Sequence, residues 1–304
     1  MNGPTTSRRP TKLRRRHFAA CAVLATLVVA MTEPGLAADG APGRVVSINL
    51  CTDQQAMAIA APGQLASVSR LARDAALSNM ADAAAALPAN DGRAEEVVSL
   101  APDLVLAGSF TSRATVGMLR RLGVRVEEFP PASSFDDIRE NLTRMGQLLG
   151  RTERADQLVR EFDARLAVLE SDKSETAPKP VAVVYHIGNG TDGRGTLADE
   201  ILTAAGWDNL AARLGLGSYG ALPLETLVAG RPDLVLVGGA EASWSTEALP
   251  NARHPAIMAA TDNGDRLMVL PDRSTICGTP FVVDAVARLV DERHRQAAHR
   301  RSGP

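Results

Sequence analysis

Aromatic residues are scarce in this chain. They make up 3% of its 304 residues, with two tryptophans and two tyrosines, so a site built from many stacked rings has little to draw on. Cysteines number three, too few in a chain this long for a disulfide framework. Positive charge has no surplus: 33 Lys and Arg stand against 35 Asp and Glu, a net charge of −2. No H-E-x-x-H occurs, and Gly217-Ser218-Tyr219-Gly220 lacks the first glycine of a nucleophile elbow. No carboxylate pair is fixed by local spacing. His186 has no second histidine or carboxylate at ligand spacing, and His254, His294 and His299 stand in surface-like contexts. No catalytic residue, metal site or resident cofactor is therefore expected.

What is present begins with an export signal. Arg8, Arg9, Lys12 and Arg14 to Arg16 form a basic region, residues 18–31 an apolar core, and Gly35-Leu36-Ala37 a small-residue cleavage site. Residues 1–37 are thus expected to be removed and the protein to reach the periplasm. Arg15-Arg16-His17-Phe18 fits the twin-arginine pattern as well as an ordinary signal. Phe18-Ala19-Ala20-Cys21 has the form of a lipoprotein box but precedes the apolar core, so no lipid anchor is expected. Residues 1–37 hold six Lys/Arg and one acidic residue, and cleavage takes the net charge from −2 to −7. An acidic chain without basic runs points away from nucleic acid and anionic membranes, toward small molecules or proteins. Cys51 and Cys277 remain after cleavage. They suit a disulfide across a cleft, a soft-metal pair, or two small buried thiols, the last being preferred here.

The chain is organised around Thr152 to Asp172. Ala155, Leu158, Val159, Phe162, Leu166 and Leu169 recur at helical spacing with charge on the other faces, which predicts one amphipathic helix, with Thr152 as its cap. On either side stands a near-copy of one motif: Glu95 with Pro102-Asp103-Leu104-Val105, and Glu225 with Pro232-Asp233-Leu234-Val235, offset by 130 residues at both ends. Each reads as a short helix, a Pro-Asp turn and a buried parallel strand. The fold class expected is α/β, with two similar lobes, each a mainly parallel sheet flanked by helices, joined by one long helix. The divisions are 38–150, 151–179 (helix and linker), 180–295 and a tail at 296–304.

In chain order, strands are expected at 44–49, 66–69, 124–129, 181–187 and 266–270. Helices are expected at 54–61 (capped by Thr52 or Asp53), near 114–122, from Ser134 with Asp137 in a capping box, at 196–205, around 254–261, and from Pro280 to about Arg293. No element is assigned to the alanine-rich 75–87.

An export signal, two lobes on one helix and paired E-x6-P-D-L-V motifs together resemble the periplasmic solute-binding proteins of ATP-driven importers for iron chelates and vitamin B12, over roughly residues 43–295. The resemblance implies a monomer that captures a metal chelate, a ferric siderophore or a cobalamin-type corrinoid, between its lobes and delivers it to an inner-membrane permease dimer with its ATPase. It puts Cys51, Thr52, Arg70, Phe110, Tyr185, His186, Tyr219, Arg273 and Cys277 on the cleft loops, and makes Glu95 and Glu225 docking residues for the permease. Where B12-binding members carry a tryptophan six residues before each motif glutamate, this chain has Ala89 and Tyr219, which counts against a corrinoid.

An exported enzyme or a nucleotide-binding protein is the rival reading. Gly188-Asn189-Gly190-Thr191-Asp192-Gly193 matches G-x-G-x-x-G after a strand and before a helix, but the acidic residue at the right distance, Asp208, is expected to follow a helix with no intervening strand.

Overall fold

The computed structural model describes Gly3 and residues 40–171, 178–186, 188–239 and 254–302; the export signal lies outside the described residues. Those from residue 40 on belong to one compact unit.

In the first lobe, β1 (Val45–Ser47) leads into α1 (Leu50–Ile59), followed by β2 (Leu65–Ser69), α2 (Ala81–Ala85), β3 (Ala89–Asn90), α3 (Ala94–Ser99), β4 (Leu104–Gly108), α4 (Arg113–Arg121), β5 (Val126–Phe129) and α5 (Phe135–Leu149). The sheet order is β3-β2-β1-β4-β5, all parallel. Its strands are apolar on both faces because helices cover both. After α6 (Thr152–Glu170), the second lobe runs β6 (Val181–Val184), β7 (Gly190–Asp192), α7 (Leu197–Ala204), β8 (Asp208–Asn209), α8 (Leu210–Arg213), β9 (Tyr219–Ala221), α9 (Leu224–Gly230), β10 (Leu234–Gly239), α10 (Pro255–Ala260), β11 (Leu267–Pro271) and α11 (Val282–Ser302). Its parallel sheet reads β8-β6-β10-β11, the first lobe's order without β3, and β7 pairs antiparallel with β9.

The repeat extends to backbone detail. Ala101 and Arg231, each just before its proline, both take left-handed φ, 46° and 45°, which ends the helix in front of them. The Asp103 carboxylate accepts from the Gly43 and Arg44 amides at 2.9 Å, and Asp233 accepts from the Val181 amide at 2.8 Å. Each Pro-Asp turn thus fastens the start of its lobe's first strand.

Helix α6 is 19 residues long and buries Ala155, Phe162 and Leu166. Thr152 is its first residue, not its cap: Arg151 holds the cap position and no side chain bonds there. Gly150, at φ 65°, turns the chain between α5 and α6. Close packing of the two helices depends on Gly146, where an added Cβ would stand 2.4 Å from that of Ala155. Phe162 meets Phe135 edge-on at 5.7 Å. One apolar core runs from Val45 and Leu104 through Phe162 to Ala182, Leu234 and Val286, so the lobes are fused along the α6 side. The last helix continues through Ser302, where a tail was expected from residue 296; Gln296 there is buried and donates to the Asp233 carbonyl at 3.1 Å.

Helix α1 starts at Leu50, earlier than expected, because Asn49 is its cap: its side chain accepts from the amides of Cys51 (3.0 Å) and Thr52 (3.4 Å). Asp53 then points into the lobe, fully buried, and accepts from the Ser69 amide and hydroxyl, locking α1 against β2. Burial raises its pKa from 3.8 to about 6, opposed by hydrogen bonds from Ser47 and Ser69. A carboxyl held above its unfolded value favours the fold below pH 3.8, and that contribution is lost as pH rises through about 6. At 1.36 kcal/mol per tenfold change in proton affinity the loss is about 3 kcal/mol. Asp53→Asn is expected to remove this part of the pH dependence and to be the more stable protein at pH 7. Urea unfolding at pH 4 and pH 7 checks it; an unchanged difference between the two pH values would contradict it.

Candidate functional site

Open parallel sheets bind ligands where the strand order reverses, beyond the carboxyl ends of the strands. Here that point lies between β1 and β4 in the first lobe and between β6 and β10 in the second. A cavity stands at each. The first, about 300 Å³, is lined by Asn49, Cys51, Thr52 and Gln55 after β1, Gly108 at the end of β4 with Ser109 and Phe110 after it, and Pro130, Pro131 and Asn141. The second, about 390 Å³, is lined by Val184 at the end of β6 and His186 after it, Val237 and Gly238 on β10, Asp192, Tyr219 and Asp272, and apolar side chains that include Ile201, Leu270 and Leu289. Leu197, Thr275 and Ile276 line both, which makes the two cavities compartments of one cleft between the lobes.

The segment carrying Thr275 and Ile276 leaves the second lobe after β11 and is fastened to the first. Arg273 donates its amide to Ala76 O (3.2 Å) and its guanidinium to Ala75 O (3.2 Å), while Asn79 Nδ2 donates to Arg273 O (2.5 Å). Gln55 Nε2 donates to Gly278 O at 3.1 Å, and Gly278 sits where a Cβ would fall 2.2 Å from that of Ala132. Cys51 and Cys277 form a disulfide with Cα atoms 5.2 Å apart, within the range a disulfide spans. The preference for two free thiols is corrected. Sequence spacing carries no information about two residues that a crossing segment brings together.

His186 Nε2 lies 2.7 Å from Asp192 Oδ2, and its ring stacks on Tyr219 at 5.6 Å and 16°. Partial burial and the Asp192 charge push the Tyr219 phenol up, so it stays a protonated donor at neutral pH. Phe110 and Tyr219 stand at the mouth, 87% and 69% exposed.

Of the residues placed on cleft loops by resemblance, Cys51, Thr52, Phe110, His186 and Tyr219 line the compartments. Four do not. Tyr185 is buried with Val183 and Val235 on the far face of the sheet, its hydroxyl donating to Asn189 Oδ1 at 2.7 Å. Successive residues leaving a strand point to opposite faces, so Tyr185 and His186 cannot both face the cleft. Arg70 is outside both compartments, paired with Asp91 at 2.7 Å. Arg273 holds the crossing segment, and Cys277 is buried in the disulfide. Sequence reasoning missed Gln55, Thr275 and Ile276, which no motif marks, and Asp192, which stood in the glycine-rich stretch read for a nucleotide. Glu95 and Glu225 are exposed, each in the first turn of its helix, α3 and α9. Among the described residues no cluster of three metal-ligating side chains occurs, and no helix is long and apolar enough to cross a membrane.

The glycine-rich stretch is committed elsewhere. Gly190 to Asp192 form β7, and Gly193 lies so close to the Leu216 and Gly217 carbonyls that a Cβ would stand 2.4 and 2.1 Å from them. Asp208 does begin a two-residue strand beside β6, contrary to expectation. The α7 N-terminus, however, is occupied by its own side chains, Thr196 Oγ1 accepting from the Asp199 amide at 3.1 Å. Acidic Asp199 and Glu200 in that first turn are poor neighbours for a phosphate.

Residues 45–267 match the family model described as periplasmic binding protein. The chain belongs to this family. A cobalamin-binding protein of Halobacterium salinarum is 30% identical over 215 residues, 68% of this chain and 58% of that protein; the chain thus spans less than two thirds of that relative. Among solved structures, a possible iron-binding solute-binding protein of Staphylococcus epidermidis aligns with TM-score 0.69 at 17% identity, covering 83% of this chain and 98% of that one. The periplasmic vitamin B12 binding protein of Vibrio cholerae aligns with TM-score 0.63 at 19% identity, covering 83% and 97%. At such identities these two show a shared fold: two α/β lobes with parallel sheets.

Proposed function

We propose that this periplasmic binding protein is the exported solute-binding component of an ATP-driven importer, and that it holds a metal chelate, a ferric siderophore or a corrinoid, between its lobes. The observation that carries the reading is the cleft: two compartments at equivalent switch points of two similar lobes, sharing a wall. The relative that binds cobalamin supports the chelate class. Cys51, Thr52, Phe110, His186 and Tyr219 are the earlier candidates that would contact it, the two exposed rings flanking the mouth. Native mass spectrometry of protein taken from its own periplasm, after cleavage near Ala37, tests this directly. A copurified metal chelate is expected, and a copurified metal-free solute would overturn the chelate assignment.

Glu95 and Glu225 are assigned to docking on a two-fold permease. They are exposed, equivalent in the two lobes and held apart by a fused core, a placement that suits a symmetric partner. Exposed ion pairs contribute only ~0–1 kcal/mol each, so the effect falls on encounter rate and orientation, with marked salt dependence. Glu95→Arg with Glu225→Arg is expected to slow import severalfold at low salt while leaving affinity for the chelate unchanged. Loss of chelate binding with normal docking on the permease would reverse the assignment.

A further inference from the structure

Gly190, in strand β7 of the glycine-rich stretch, does not take a positive φ, so the backbone does not require a glycine there. Its neighbours do. A Cβ added at Gly190 would stand 3.3 Å from the His186 Cβ, 3.4 Å from the Tyr219 hydroxyl and 3.5 Å from the Tyr219 ring; the missing side chain is the room in which that ring lies. Tyr219 on β9 is the cross-strand partner of Asp192 on β7, which puts their side chains on one face of the ribbon. The Asp192 carboxylate holds the His186 imidazole at 2.7 Å, and the imidazole stacks on Tyr219. Three side chains thus fix one another, and all three are open to a ligand: each lines the second-lobe compartment, with the His186 and Asp192 side chains 31% and 15% exposed and Tyr219 69% exposed. Packed on one side against His186 and Gly190, the Tyr219 ring turns its other face outward. An aromatic face carries negative potential, and a carboxylate beside it adds to that potential. Among the described residues, the charged side chains lining the two compartments are Asp192 and Asp272, beside the imidazole that Asp192 holds.

We infer that the β7–β9 ribbon is a preformed cation platform: Tyr219, seated on Gly190 and flanked by His186 and Asp192, receives a positively charged group of the ligand, an ammonium on an arm of the chelate. This rests on the chelate reading above and narrows it, favouring chelates with a cationic arm over those with an anionic rim. Tyr219 supplies the face that the cation meets. Gly190 is a positioning residue, acting by the room it leaves, and Asp192 acts by its charge and by its hold on His186.

The test is calorimetric titration at neutral pH and low salt with two matched pairs and one anionic probe. The pairs are ferrioxamine B with its N-acetyl derivative, and an aminoalkyl derivative of cyanocobalamin with its N-acetyl form; within each, the members differ by one ammonium. Hemin, with ionised propionates, is the anionic probe. In any pair that the parent binds, the ammonium-bearing member is expected to be favoured about fivefold or more. Asp192→Asn, which can still accept from His186, and Gly190→Val, which displaces the ring, are each expected to cut that preference to about twofold or less. Valine suits a strand better than glycine, so Gly190→Val should keep its thermal unfolding midpoint, which separates loss of the platform from loss of the fold. If it does not fold, Gly190→Ala replaces it, with a smaller loss of preference expected. Gly217→Ala, where nothing stands within 4 Å of the added Cβ, should keep the parent's preference. Equal binding of both members of a pair by the parent, a preference that survives in either Asp192→Asn or Gly190→Val, or hemin bound more tightly than the ammonium-bearing probes overturns the inference and leaves the chelate reading standing. If the parent binds none of the five, the chelate reading falls and takes this inference with it.

Discussion

Replacing Cys51 and Cys277 together by serine is expected to lower the free energy of unfolding by about 3–5 kcal/mol. The bond closes a loop of 226 residues, and cross-linking positions so far apart removes much of the freedom of the unfolded chain. In the folded protein the same bond joins the first turn of α1 to the crossing segment, beside the Gln55–Gly278 and Asn79–Arg273 hydrogen bonds. Those bonds hold the segment in place without the sulfurs, so the variant is expected to keep the native fold with less resistance to urea. Equilibrium unfolding with and without a thiol reductant decides it: the reduced parent should match the double serine variant. A difference below about 1 kcal/mol between oxidised and reduced parent would contradict the expectation.

Trp207→Ala is expected to cost about 3–5 kcal/mol, the range for emptying a fully buried aromatic site. Trp207 is 1% exposed, between α7 and β8, and its indole N–H donates to the Leu289 carbonyl of α11 at 2.9 Å. Leu289 also lines the second-lobe compartment, so the indole positions part of the cleft wall from behind. Trp207→Phe retains most of the packing and forfeits the hydrogen bond, for an expected loss of about 1–2 kcal/mol. Denaturant unfolding measures both, and an alanine variant within about 1 kcal/mol of the parent would show that α11 is held by other contacts.

Repetition made the architecture legible. Two motifs at a common offset predicted two like lobes, and a heavily charged stretch with an apolar stripe predicted α6 between them; both describe local chemistry that recurs. Capping was read unevenly. Ser134 with Asp137 forms the expected box, whereas Asn49 caps α1 in place of Thr52 or Asp53, since three polar residues within five positions offer alternative starts and burial of Asp53 decides between them. The site was harder. His186 was found because it leaves a strand at the carboxyl end, and Tyr219 because it stands six residues before Glu225, but the parity that sends Tyr185 to the opposite face needs the strand's exact register. Thr275, Ile276 and the disulfide were beyond reach because they depend on where a loop of one lobe crosses to the other, which no pattern within that loop encodes.

That crossing also orders events in time. The first lobe's sheet is complete by Phe129. Its cavity is not complete then, because Thr275, Ile276 and Gly278 supply one wall. A chain emerging from its amino end would therefore fold a sheet with an unfinished pocket, and the cleft would become competent only once the residues just before α11 had arrived and Cys277 could reach Cys51. The two-compartment cleft therefore exists only in the finished chain.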